Sequence, residues 1–305
     1  MKPRISESVK NAVIGHRRAL VRVVDKQALA GLRTEYDTGI ARLSRSLGTT
    51  FKAQRRSLTN AATARRIEKV ANEHIVDALS KVAGEFSMQT HTVLNEGVHR
   101  LGQFLGKARS GKSSPLDETI RSERLAIKQL KGLQRARISS VAEAGSGIAL
   151  KVKERLSSLS IGEITVNDAI SEVIDAVDSQ WWMIERIART ETSRAYNQVQ
   201  DLGIREMVGE LPGLFKRWVE YVDDLTGEPF DDRVSDDSIA LHGQIAEADG
   251  MFYMPDDDPA PEEMIGMSWE HPPNRPNDRA VIQPWMKEWG IPAWYYQRGE
   301  RVELK

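Results

Sequence analysis

The segment IARTETSRAYNQVQDLG, Ile187–Gly203, sets arginines, a glutamate and hydroxyl groups at helical spacing. On a helix, Arg189, Thr192/Ser193, Tyr196 and Gln200 fall on one side, with Ala188, Glu191, Ala195 and Val199 on a neighbouring one. A carboxylate beside an apolar stripe is tolerated only when it is hydrogen-bonded or ion-paired. Glu191 therefore calls for Arg189, Arg194 or a later arginine such as Arg233. Two further segments hold most of the remaining polar chemistry: WVEYVDDLTGEPFDDRVSDDSIALHG, Trp218–Gly243, and EHPPNRPNDRAVIQPW, Glu270–Trp285. Asp223, Arg233, His242 and Arg279, together with Arg189, Glu191 and Asn197, read as a polar network that fixes the loops of a domain short of regular structure.

Several catalytic and metal chemistries are disfavoured by residue type and spacing. The chain has no cysteine, which excludes disulfides and thiolate metal sites. The runs VDDLTGEPFDDRVSDD and PDDDPAP lack the D-x-D-x-D-G spacing and distal Glu of a calcium loop, so they read as solvated loops. His242 and His271, with carboxylates scattered nearby, read as hydrogen-bonded structural residues rather than ligands. EHPPNRPND touches the His-Asn-His nuclease pattern but lacks its metal-binding second half. No metal and no cofactor are expected.

GKARSGKSS, Gly106–Ser114, fits the phosphate-loop pattern G-x-x-x-x-G-K-[ST]. That loop works only when a buried strand leads into it and a helix N-terminus stands behind the phosphates. The preceding GVHRLGQFL reads as the end of a helix, and Pro115 opens the next helical stretch, so the segment reads as a Gly/Ser/Lys linker.

The elements that must position these residues follow from composition. Net charge is −1 overall, but residues 1–150 carry 27 Lys and Arg against 13 Asp and Glu, while residues 151–305 carry 16 against 31. The basic half points to a polyanion, with Arg17, Arg18, Arg22, Arg55, Arg56, Arg65 and Arg66 as candidate DNA-contacting residues. A basic arm docking on acidic protein surfaces would look the same. No run approaches 18 uninterrupted apolar residues, so no membrane span is expected. The N-terminal MKPRISESVKNAV lacks the apolar core of an export signal.

Apolar residues recur every three or four positions from Ile5 to about Leu47 and again over 59–105, and a third helix is expected from Leu116 to about Val141. AEAGSGIA is expected to break or bend that helix. With four aromatics and no Trp before residue 181, this half should be long amphipathic helices packed on each other or on a partner. After a turn near Ser157–Ile164, helices are expected from Thr165, with Asp168 able to complete a reciprocal cap, and over about Gln180–Val208. Beyond residue 212 the texture changes: FKRWVEYV alternates as a strand does, and ten of the twelve prolines lie past residue 200. The fold class is thus a mainly α N-terminal half plus a small loop-rich α+β C-terminal domain. The expected divisions are a basic helical arm or bundle over 1–160, a domain over 161–290 and a tail over 291–305. WMKEWGIPAWYY, Trp285–Tyr296, is either core or a docking peptide.

The order of the C-terminal motifs resembles the phage Mu F-like minor head proteins, also called phage head morphogenesis proteins. ARTE at Ala188–Glu191 is followed by Asn197, then Trp218 with Asp223, then Asp232-Arg233-Val234 with His242-Gly243, and a closing box PPNRPNDRA at Pro272–Ala280. The resemblance covers about residues 165–285. Where the closing box of the family carries His and two Cys, this chain has Arg275, Asp278 and Ala280, so a zinc site built there is not available to it. The resemblance implies a non-enzymatic structural protein of the virion, in the head interior near the portal and in the host cytoplasm during assembly. Its implied partners are the portal protein, the major capsid protein and packaged double-stranded DNA. The competing class is a phage-encoded or toxin-associated enzyme: an ADP-ribosyl transferase, or a nucleotide hydrolase using the Gly106–Ser113 loop.

Overall fold

The structure, a computed structural model, describes residues 29–51, 61–110, 144–154, 156, 166–209, 211–222, 228–229, 232, 234–257, 259–275, 278, 280–289, 291–297 and 300–304. The chain forms two compact units. Of the described residues, 29–89 and 144–188 build the first, and 90–110 and 189–304 the second. The division at Ala188–Arg189 falls later than the expected boundary at residue 160.

The first unit is helical. Helix α1 spans Leu29–Thr50, α2 Ala61–Ser110, α3 residues 144–154, α4 Val166–Asp178 and α5 Trp181–Met207; of α2 and α5, the parts up to residues 89 and 188 belong to this unit. The helical spacing of apolar residues does what it predicts. Leu32, Tyr36, Leu43 and Leu47 of α1 pack in one core with Ile67, Ala71, Ile75, Leu79, Val82 and Phe86 of α2. Ile148 and Val152 of α3, Ala169, Val173 and Val177 of α4, and Ile184 of α5 complete it. Gly39 lets α1 and α2 approach closely, since a Cβ there would lie 2.4 Å from the Ala78 Cβ. Tyr36 donates its hydroxyl proton to the Val177 carbonyl at the end of α4 and packs on Trp181 at 5.4 Å between ring centroids. Arg33 pairs with Asp37 at 2.8 Å and Asp178 at 3.0 Å.

Residues 144–149 of AEAGSGIA lie within α3, where Gly145 and Gly147 sit against Leu79 and Met183 and packing outweighs weak helix propensity, while the expected break from the helix before them lies outside the described residues. One expectation is corrected here. Gly106–Ser110 are the last residues of α2 rather than a linker, and no strand leads into them. Lys112 and Ser113 lie outside the described residues, as does the expected helix Leu116–Val141.

The second unit is built on a mixed five-stranded sheet. Its strands are β1 Phe215–Val219, β2 Gln244–Ala246, β5 Val281–Trp285, β6 Ala293–Gln297 and β7 Glu300–Leu304, in the order β5-β1-β2-β6-β7. Only the β2–β6 pair is parallel. A separate ribbon joins β3 Phe252–Tyr253 to β4 Ser268–Trp269, and the short helix α6 spans Asp236–Leu241. Alternation along β1 sends Lys216, Trp218 and Glu220 to one face and Phe215 to the other. Trp218 is fully buried with Ile204 of α5, Phe252 and Ile282, and stacks edge-on against Phe252 at 5.2 Å. The described residues of 291–305 are not a tail. They supply β6 and β7, and Trp294 is core, donating its indole proton to the His242 carbonyl at 2.7 Å. Among the described residues, no helix is long and apolar enough to cross a membrane.

Candidate functional site

Of the residues singled out by type, Asn197 meets the segment 280–282 and His242 meets Glu220. Asn197, fully buried on α5, donates through Nδ2 to the Ala280 carbonyl at 3.0 Å and accepts the Ile282 N–H at 2.9 Å. Its amide offers one donor and one acceptor, as a neighbouring strand would, so the helix is clipped to the outer edge of β5. Glu191 is buried and accepts from Arg194 one turn away, while its Oε2 has no hydrogen-bond partner among the described residues. Arg189 is half-buried on the same helix. Asp223, Arg233 and Arg279 lie outside the described residues, so the expected Glu191–Arg233 pairing does too.

His242 caps α6 and is placed by the glycine that follows. Gly243 adopts φ +84°, and a Cβ there would press on the Trp294 ring at 3.3 Å. Its N–H donates to the Trp218 carbonyl at 2.9 Å and its carbonyl accepts from Trp294 N at 3.1 Å, extending β2 between β1 and β6. The His242 Nδ1 accepts the Glu220 N–H at 3.2 Å. In the neutral ring the proton then sits on Nε2.

Glu220 belongs to a set of three buried carboxyl groups, with Asp278 and Asp237. Glu220 accepts from Trp218 Nε1 at 2.8 Å. Asp278 accepts the backbone N–H of Ala280 at 2.8 Å and of Asn274 at 3.1 Å. Asp237 accepts from Asn274 Nδ2 at 2.9 Å, from Arg275 Nε at 2.8 Å and from Ser235. Arg275 also donates to Ser235, and to Ser238 at 2.9 Å. Burial pushes the Asp278 carboxyl up to about 6, against the pull of its two backbone donors. Burial, reinforced by Asp278 and Asp237, raises Glu220 well above the usual carboxylate range and favours its neutral form. Arg275 and Asp278 therefore have a use in this chain that needs no metal: one guanidinium and a set of backbone N–H groups hold carboxyls that close a loop. Among the described residues, no group of three or more His, Asp or Glu is arranged to hold a metal ion.

A second buried cluster was not anticipated. Lys216 donates to Asp201 at 2.7 Å and to the Glu270 carbonyl at 2.8 Å, and Arg205 pairs with the same Asp201 at 2.7 Å and with Glu270. Burial lowers the Lys216 ammonium and the His271 imidazole from their ordinary values. The signal was present in FKRWVE, because period-two alternation puts Lys216 and Glu220 on the same face as Trp218. A lysine and a glutamate flanking a tryptophan look like a solvated face until the helix opposite supplies Asp201.

The opposite side of the sheet is apolar and open. A groove of about 570 Å³ is lined there by Phe215, Ile245, Trp285, Tyr253, Tyr296 and Leu304, among others. Tyr253 and Tyr296 stack at 5.1 Å, and Phe215 meets Trp285 edge-on at 6.1 Å. Of the candidate DNA-contacting residues, Arg65 and Arg66 are exposed on α2, and Arg66 lies over the Phe51 ring at 5.7 Å. Arg17, Arg18, Arg22, Arg55 and Arg56 lie outside the described residues. Compared with known proteins, the chain matches no family model, no curated sequence and no solved structure.

Proposed function

We propose that this chain is a structural, non-enzymatic minor head protein of a tailed phage, acting in head morphogenesis or genome delivery. In this reading it sits inside the head near the portal vertex, after assembly in the host cytoplasm. Its partners are the portal protein, the major capsid protein and packaged double-stranded DNA bound without sequence preference. The long amphipathic helices form the basic half, and the loop-rich α+β domain is the protein-docking half.

One observation carries the reading. The first and last boxes of the motif order, around Ala188–Asn197 and Pro272–Ala280, are hydrogen-bonded to each other through Asn197, Ala280 and Ile282. The described polar residues of the closing box, Asn274, Arg275 and Asp278, likewise bond inside the domain, to Asp237, Ser238 and backbone groups. Residues that would do chemistry on a substrate keep an open position for it; these hold loops together. The resemblance of the motif order supplies the virion context. The test is quantitative mass spectrometry of density-purified particles from a strain producing the phage that encodes this chain. The expected result is the chain present in full heads at a few copies per particle alongside the portal protein. Its absence from both full and DNA-free heads would overturn the proposal.

A further inference from the structure

The two outer strands of the sheet are treated very differently. On β5, the Asn197 side chain occupies the Ala280 carbonyl and the Ile282 N–H, and two residues on Pro284 has no N–H to offer. That edge is covered. On β7, the other outer strand, no described strand lies beyond Glu300–Leu304. An edge left open normally carries charges that repel a second strand. Here the charges are Glu300, Arg301 and Glu303, and the order of Arg301 and Glu303 about Val302 is self-complementary.

We propose that β7 is the contact strand of a homodimer, pairing antiparallel with β7 of a second copy about Val302. In that register Arg301 of each copy lies directly opposite Glu303 of the other. Sliding by two residues in either direction sets Arg301 against Arg301, or Glu303 against Glu303, and a one-residue slide turns the apolar side of one copy to the polar side of the other. Charge thus selects a single pairing. Arg301 is already ordered for it, with its Nε 2.6 Å from its own Glu303 and its guanidinium 4.8 Å from the Trp294 ring centroid. The opposite face of the strand is apolar at Val302 and Leu304, with Glu300 coming opposite Leu304 at each end of the pairing. Val302 and Leu304 pair with Tyr295 and Ala293 on the groove side, and Leu304 lines the groove itself. A twofold axis at Val302 brings the two apolar floors side by side in one continuous ten-stranded sheet.

The test is sedimentation equilibrium of the full chain with three variants, at low ionic strength and up to about 100 µM protein. Wild type is expected to dimerise. Arg301→Glu and Glu303→Arg should each raise the dimer dissociation constant by about tenfold or more, since each sets like charges opposite one another twice. The double exchange, Arg301→Glu with Glu303→Arg, should restore dimerisation, which separates a lost interface from a damaged fold. A monomeric wild type, an association unmoved by both single reversals, or a double exchange that stays monomeric would each overturn the proposal.

Discussion

Asn197 and Gln244 hold the second unit together with the same chemistry. Asn197 engages the Ala280 carbonyl and Ile282 N–H, and Gln244 donates to the Tyr253 carbonyl at 2.8 Å and accepts the Tyr253 N–H at 2.7 Å. Each amide replaces a missing strand where the backbone would otherwise be buried without partners. Asn197→Ala should therefore destabilise the domain by about 2–4 kcal/mol in denaturant titration, because it strands one donor and one acceptor. Asn197→Asp should fail as well, since a carboxylate cannot donate to the Ala280 carbonyl. Ser193→Ala, which removes only a 3.4 Å contact to Asn197, should be nearly silent. Asp278 gives a pH signature. Its carboxyl, up at about 6, keeps its proton to higher pH in the folded chain than in the unfolded one. Folding stability should accordingly fall as pH rises from about 4 to about 6, by on the order of 2–3 kcal/mol from this group. Glu220 acts in the same sense, and His271, lowered by burial, in the opposite one. The difference between wild type and Asp278→Asn isolates the aspartate: the variant should lose that downward slope, and parallel pH profiles would refute the assignment.

At the scale of elements, the first unit depends on how closely its helices approach. Gly39 of α1 faces Ala78 of α2 so tightly that an added methyl would overlap, whereas Gly84, exposed on α2, has nothing within 4 Å. Gly39→Ala should lower stability by about 1–3 kcal/mol through overpacking. Gly84→Ala should raise it by roughly 0.5–1 kcal/mol through helix propensity alone. Adding Ala78→Gly to Gly39→Ala should recover part of the loss, and two additive penalties in thermal melts would show that these positions do not meet. The helices themselves were legible, because their apolar spacing is a property of the local sequence. The expected span Gln180–Val208 and the observed Trp181–Met207 differ by one residue at each end. Strands of two or three residues, such as Gln244–Ala246 and Phe252–Tyr253, carry too short a pattern to be read, and they exist because neighbouring strands and Gln244 supply their hydrogen bonds.

Across the whole molecule the dominant feature is electrical. A chain with net charge −1 divides into halves of opposite sign, and exposed Arg65 and Arg66 belong to the basic one. The full chain should bind duplex DNA without sequence preference, its affinity falling steeply with salt as counterions are released. Reversing Arg65 and Arg66 to Glu should weaken binding uniformly across sequences and lower the logarithmic salt slope by about two, roughly one for each lost phosphate contact. An unchanged slope in fluorescence anisotropy would assign these two arginines to protein contacts.

What the sequence determined by itself were the quantities that depend on near neighbours: the helical stripes, the Trp-bearing strand at Phe215–Val219, the charge asymmetry and the absence of thiol chemistry. It also singled out Asn197 and His242, although not what they would hold. The tertiary structure alone decided the partners. Lys216 is a core residue because Asp201 stands opposite it, and Asp278 is a loop anchor because two backbone N–H groups converge on it. The expected tail is two strands because Gln244 and Ile245 offer Trp294 and Tyr295 an edge. A buried charge and a strand edge are each satisfied by groups tens of residues away, and local spacing carries no record of which groups those are.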